Sequence, residues 1–158
     1  MLVFRIICAV LMAWSVNIAL SRPEAVVMLQ TLPEMTTFAP IAAAIVGYFN
    51  LAVRQGWGFI VAAANGIWAG VLSIFLSGVL FMIVKIIEAF QTNVIRTFVN
   101  FMSVFSEMSQ PLLEEVLNMP LLVVSLGITA LVGVATEVLH WILVRMRQRK
   151  GGQASKLP

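Results

Sequence analysis

FIVAAANGIWAGVLSIFLSGVLFMIV, Phe59 to Val84, is the stretch that decides the fold. It carries no charged side chain, and as a helix rising 1.5 Å per residue it would run about 39 Å, more than the ~30 Å hydrocarbon core of a bilayer. A helix that is apolar on every side at this length needs an apolar solvent rather than a single apolar neighbour. Within it Ala62, Gly66 and Gly70 recur every fourth residue and share one face, and Asn65 adjoins that face. Small residues at this spacing let two helices approach until van der Waals contact holds them together in lipid.

The rest of the chain repeats the theme. Of its 158 residues 61% are hydrophobic and 11% charged, and the mean hydropathy is +1.00. A soluble domain has roughly 45–50% apolar and about 25% charged residues, so this chain has too little polar surface to cover a water-soluble globule. Apolar runs at 2–21, 38–53, 59–84 and 120–144 predict four transmembrane helices within a single membrane domain, 1–144. The fold class expected is all-α: an integral membrane four-helix bundle. For the first run a cleavable leader is the competing reading, with Met1 to Arg5 as its charged start and Ala19-Leu20-Ser21 as a cleavage site. The length of the apolar stretch favours a retained helix. The second run has Pro40 near its start, where a missing amide costs least.

Between the third and fourth spans Ile87, Phe90, Val94, Phe98, Met102 and Phe105 recur at spacings of three and four, with Lys85, Glu88, Gln91, Thr92, Arg96 and Asn100 on the remaining faces. This pattern predicts an additional amphipathic helix over about 85–109, limited by Pro111, whose stripe covers neighbouring helix ends or a partner protein. A short further turn is expected at 112–117, with Glu114 and Glu115 on it. Residues 145–158, opening with Arg145, Arg147, Arg149 and Lys150, read as a basic cytoplasmic tail whose Gly-rich part, from Gly151 to Pro158, is polar and disordered.

Charge placement sets the orientation. With both termini in the cytoplasm the inner set is Arg5, Arg54, Arg145, Arg147, Arg149, Lys150 and Lys156, against Arg22, Lys85 and Arg96 outside. Basic residues favour the cytoplasmic side, so the expectation is a multi-pass protein of a bacterial inner membrane with cytoplasmic ends. The lipid bilayer is its first partner, and a membrane-protein partner or a second copy is open. The net charge of +3 does not point to nucleic acid, because the positive residues gather in one tail and form no basic stripe with interleaved aromatics.

Few residues offer chemistry. Cys8, the one cysteine, excludes an internal disulfide and reads as a small packed residue. Glu137 and His140, three apart on one helix face, are the candidate functional pair. One Glu-x-x-His without a second buried carboxylate or histidine does not make a metal site within one copy. The plain reading is an interfacial pair in which Glu137 hydrogen-bonds His140, Arg54 or a basic tail residue. The sharper one is a proton or ion role, because ionisable groups inside membranes are functional candidates by default. Asn17, Asn50 and Asn65 should form interhelical hydrogen bonds, or line a polar pathway. No nucleotide loop or catalytic triad is present, and no cofactor and no enzymatic activity are expected.

Phe38-Ala39-Pro40-Ile41-Ala42-Ala43-Ala44-Ile45-Val46-Gly47, the turn Arg54-Gln55-Gly56-Trp57-Gly58, the continuation Ala64-Asn65-Gly66, and Thr136-Glu137 leading to Trp141 and an Arg-rich end together resemble the TrgA family. These are small alphaproteobacterial membrane proteins linked to tellurite resistance. The likeness in layout covers nearly the whole chain. It implies a non-enzymatic envelope protein contributing to tellurite tolerance. Two other functions fit the residues: an accessory or assembly subunit of a larger membrane complex, using the small-residue face and the amphipathic helix, or a small transporter using Glu137.

Overall fold

The computed structural model describes residues 2–25, 29–30, 32–92, 97–116 and 119–154. It is all-α: α1 (Leu2–Leu20), α2 (Met35–Phe49), α3 (Phe59–Gln91), α4 (Phe98–Val116) and α5 (Met119–Ala154), with 3-10 turns at Pro23–Ala25 and Leu51–Val53. Four segments are long and apolar enough to cross a membrane: Leu2–Leu20, Met35–Val53, Phe59–Gln91 and Met119–Met146. They close into a ring in which α1 packs on α2, α2 on α3, α3 on α5 and α5 back on α1.

Small residues fill much of the inside of this bundle, and large apolar ones much of its outside. Cys8, Ser15, Ala42, Ala43, Ala69, Ser73, Ser77, Thr129 and Thr136 are buried, whereas Trp14, Phe49, Phe75, Val123 and Leu131 stand exposed. Large apolar side chains gain nothing by leaving lipid, so many stay outside, although Met12, Met35, Leu51 and Phe81 are buried, and small ones let backbones meet at the crossings. At the α3–α5 crossing a Cβ on Gly66 would strike the Thr129 carbonyl and lie 3.0 Å from the Ala130 Cα. One on Gly133 would strike the Ala62 carbonyl. A matching close approach joins α1 to α2, where a Cβ on Gly47 would lie 2.7 Å from the Cys8 carbonyl oxygen. The buried hydroxyls are satisfied locally. Ser15 donates to Met12 O, Ser73 to Ala69 O and Thr129 to Leu126 O, so these hydroxyls leave no polar hydrogen facing lipid.

Three boundaries depart from expectation. The helix of the third span continues through Gln91, and the amphipathic helix is α4, which starts at Phe98 and passes Pro111 to end at Val116. Pro111 cannot donate to the Glu107 carbonyl, but Glu107 lies on an exposed side where solvent takes that acceptor. The short separate turn over 112–117 is therefore the end of α4, with Leu117 outside the described residues. Of the two surfaces its apolar stripe was expected to cover, neighbouring helix ends do not meet Phe98, Met102 and Phe105, which are exposed, and a partner protein is the other. Val94 and Arg96 lie outside the described residues. Only the far end of α4 docks, with Met108 and Leu112 against Phe81, Met82 and Leu121. Finally, α5 runs on past the expected span end at Val144, through Arg145 to Ala154, and its last residues, 151–154, fall where a disordered Gly-rich tail was expected. The run Arg145 to Lys150 is rich in strong helix formers and extends a helix already nucleated in the bundle. Residues 155–158 lie outside the described residues.

Candidate functional site: the polar knot at the α2–α3 turn

One end of the bundle gathers the start of α1, the α2–α3 turn and the last apolar turns of α5. Phe4 meets the His140 ring edge-on at 5.7 Å, and Arg5 lies over the Tyr48 ring at 5.7 Å. The opposite end holds Lys85 paired with Glu34 at 2.5 Å and with Glu88 at 3.0 Å.

The turn is built by two glycines. Gly56 and Gly58 have φ of +98° and +96°, which residues with a Cβ rarely adopt, and Gly58, with ψ of 165°, lies in a region kept essentially to glycine. Alternating them with Gln55 and Trp57 bends the backbone so that two amides face the same way. Both point at one carboxylate. Gly56 N–H donates to Glu137 Oε2 at 2.8 Å and Gly58 N–H to Oε1 at 3.2 Å. Glu137 is 6% exposed. Its charge is therefore met by backbone dipoles, one N–H on each oxygen.

The neighbours extend this pairing into a knot. Gln55 Nε2 donates to Leu51 O at 3.0 Å and to Thr136 Oγ1 at 2.9 Å. Thr136 in turn donates its hydroxyl proton to Gly133 O at 2.8 Å. Both atoms facing Gln55 Nε2 are thus acceptors, which fixes the orientation of the amide. Gln55 Oε1 is left buried without a hydrogen-bond partner among the described residues. Asn65 Nδ2 donates to Arg54 O at 3.1 Å and ties the turn to α3. His140 sits beside the turn, close enough that a Cβ on Gly56 would lie 3.5 Å from its Nε2.

The sequence-level pair is thus on one face, as i, i+3 spacing requires, but Glu137 does not bond His140, Arg54 or Arg145 among the described residues. The turn amides of Gly56 and Gly58 take the carboxylate instead. A sequence spells out side chains, and backbone donors are the same at every position in it. The available signal was the Gly-x-Gly turn itself. Gln55 and Thr136 were also missed. Ala62, Gly66 and Gly70 lie against α5, one crossing away from the knot. Asn65 bonds the turn backbone rather than another helix, and the Asn17 and Asn50 side chains bond no other helix among the described residues. Asn17 is exposed near the end of α1, where headgroups and water can serve it. Among the described residues no three of His, Cys, Asp and Glu come together.

A carboxylate with both oxygens occupied by backbone amides is held in place. Chemically the knot fastens α5 to the α2–α3 turn and allows an irregular backbone at the membrane boundary. Comparison of the chain with protein-family models, with curated proteins and with solved structures finds no match, so the likeness to TrgA rests on the residues quoted for it.

Proposed function

We propose that this chain is a non-enzymatic, multi-pass protein of the bacterial inner membrane, with cytoplasmic ends, that contributes to tellurite tolerance as its resemblance to TrgA implies. The supporting observation is convergence. The turn Arg54–Gly58 and the pair Thr136-Glu137, about eighty residues apart in sequence, carry much of that resemblance, and they meet in the bonds from Gly56 and Gly58 to Glu137. Residues shared because they build a fold are expected to touch. The test is deletion of the gene followed by tellurite challenge. Lowered tolerance, restored by the wild-type chain, supports the reading, and unchanged tolerance sinks it.

A second reading, an accessory or assembly subunit of a larger membrane complex, draws on α4, whose Phe98, Met102 and Phe105 are exposed beside the bundle. The small-residue face at Ala62, Gly66 and Gly70 gives it no support, because α5 already fills that face. Purification in mild detergent separates the two readings: a stoichiometric partner favours the subunit, and a lone chain with intact tellurite tolerance in vivo favours the first.

A further inference from the structure

Beside the knot, on the outer side of the turn, lies an open cleft of about 330 Å³ bounded by Val53, Arg54, Trp57, Val61 and Asn65. We propose that it binds the phosphate-bearing headgroup of an anionic membrane phospholipid. Arg54 is exposed and forms no ion pair among the described residues. The nearest acid to the turn, Glu137, already has both oxygens on backbone amides. The guanidinium therefore offers its planar donor fork to an outside anion.

Other donors lie at the same turn, and Asn65 and Val61 line the cleft. Asn65 uses one Nδ2 proton on the Arg54 carbonyl and keeps the second. The first amide of α3 with an internal partner is Ala62, which donates to Gly58 O at 2.9 Å. Phe59, Ile60 and Val61 are therefore first-turn amides without one, at the positive end of a long helix dipole.

The apolar walls select a lipid over a free anion. Val53 and Val61 line the cleft, and Trp57, 78% exposed, stands at its rim. Phe59 and Ile60, next to them in sequence at the start of α3, also expose their side chains. This is a headgroup site with a path for the glycerol and acyl chains, and an indole at the depth where tryptophan favours the interface. A free phosphate would use Arg54 and leave these walls in contact with nothing. Charge over the molecule agrees. Arg5, Arg54 and Arg145 share this end, whereas Glu34, Glu88, Glu107 and Glu114 belong to the segments beyond the far end of α3 or pair with it. Basic residues near a membrane surface draw anionic lipids.

The test is native mass spectrometry of the full chain from mild detergent, with phosphatidylglycerol or phosphatidylcholine added in equal amount. Wild type should retain phosphatidylglycerol preferentially, and Arg54→Gln should cut that retention by about fivefold, the loss of one surface cation–headgroup contact. Arg145→Gln, at the same end but stacked on Trp141, should keep it. Protection of the buried Cys8 from maleimide certifies that each variant is folded. Equal retention of the two lipids, no change in Arg54→Gln, or an equal loss in Arg145→Gln overturns the proposal. So does full displacement of phosphatidylglycerol from wild type by millimolar inorganic phosphate, which would make the cleft a site for free oxyanions.

Discussion

Replacing Glu137 by glutamine is the sharpest single test of the knot, because the ordinary expectation and the geometry disagree. In a membrane, neutralising a lone carboxylate should help, since burying a charge costs several kcal/mol. Here the carboxylate accepts one amide on each oxygen, at 2.8 and 3.2 Å. Glutamine keeps one oxygen and turns an NH₂ donor toward the other amide. One charge-assisted bond, worth about 1.5–3 kcal/mol, is lost, and two donors are set against each other. Relief of the buried charge offsets part of this, and Gly56 and Gly58 are exposed enough for a freed amide to reach water. The net expectation is a destabilisation of about 1–3 kcal/mol. The assay uses the protein's own reporter. Cys8 is 0% exposed and is the one cysteine, so its maleimide labelling in micelles, along an SDS titration, reads unfolding directly. At fixed SDS the labelling rate should rise about 5- to 150-fold. Glu137→Gln labelling no faster than wild type, or slower, would refute the claim that the two amides hold this carboxylate.

Three further outcomes follow from the close contacts. Gly66→Ala drives a Cβ onto the Thr129 carbonyl and should cost about 1–3 kcal/mol, whereas Gly70→Ala meets the side-chain atoms Thr129 Oγ1, Thr129 Cβ and Leu126 Cδ2 rather than backbone and should cost less; SDS midpoints in the reverse order would contradict the α3–α5 crossing. A Cβ added at Gly58 would have no neighbour within 4 Å, but φ +96° with ψ 165° is a backbone region kept essentially to glycine, so Gly58→Ala should lose about 1–3 kcal/mol, and Gly58→Asn, whose side chain favours a different left-handed region, should recover none of it in the same titration. Lys85→Gln removes the ion pairs to Glu34 and Glu88, whose side chains are 40% and 54% exposed; it should shift the midpoint by no more than about 1 kcal/mol, by an amount that shrinks in high salt, and a large salt-independent loss would show the pairs to be structural.

The bundle was legible because lipid imposes a strict rule on sequence. A segment of sufficient length must be apolar throughout, and Phe59–Val84 obeys it. Spacing along one helix was equally legible, as in Ala62, Gly66 and Gly70. Their partner surface, Thr129, Ala130 and Gly133, has the same character, yet which two small faces meet is a long-range fact that one-dimensional spacing does not carry. The ends of α4 were misread for a related reason. The apolar period runs unbroken from Ile87 to Phe105, so periodicity alone joins α3 to α4, although α3 stops at Gln91 and α4 starts at Phe98. A proline read as a stop also proved compatible with a helix, because Pro111 frees a carbonyl on an exposed side.

Glu137 shows the complementary limit. Its type and position marked it at once, since a carboxylate in an apolar run must be served by something. Side chains are the partners a sequence displays, and the partner here is backbone. Two costs met at this end of the bundle: a turn with unpaired amides at the edge of lipid, and a buried acid. Each is the remedy for the other. Pairing them also explains why the turn needs glycine at both 56 and 58, since only that backbone presents two amides to one carboxylate. With Glu137 satisfied from within the turn, Arg54 is not required as its counter-ion. The cation is left on the outer side, facing headgroups, so the same bonds that close the knot give the molecule a basic edge toward the membrane surface.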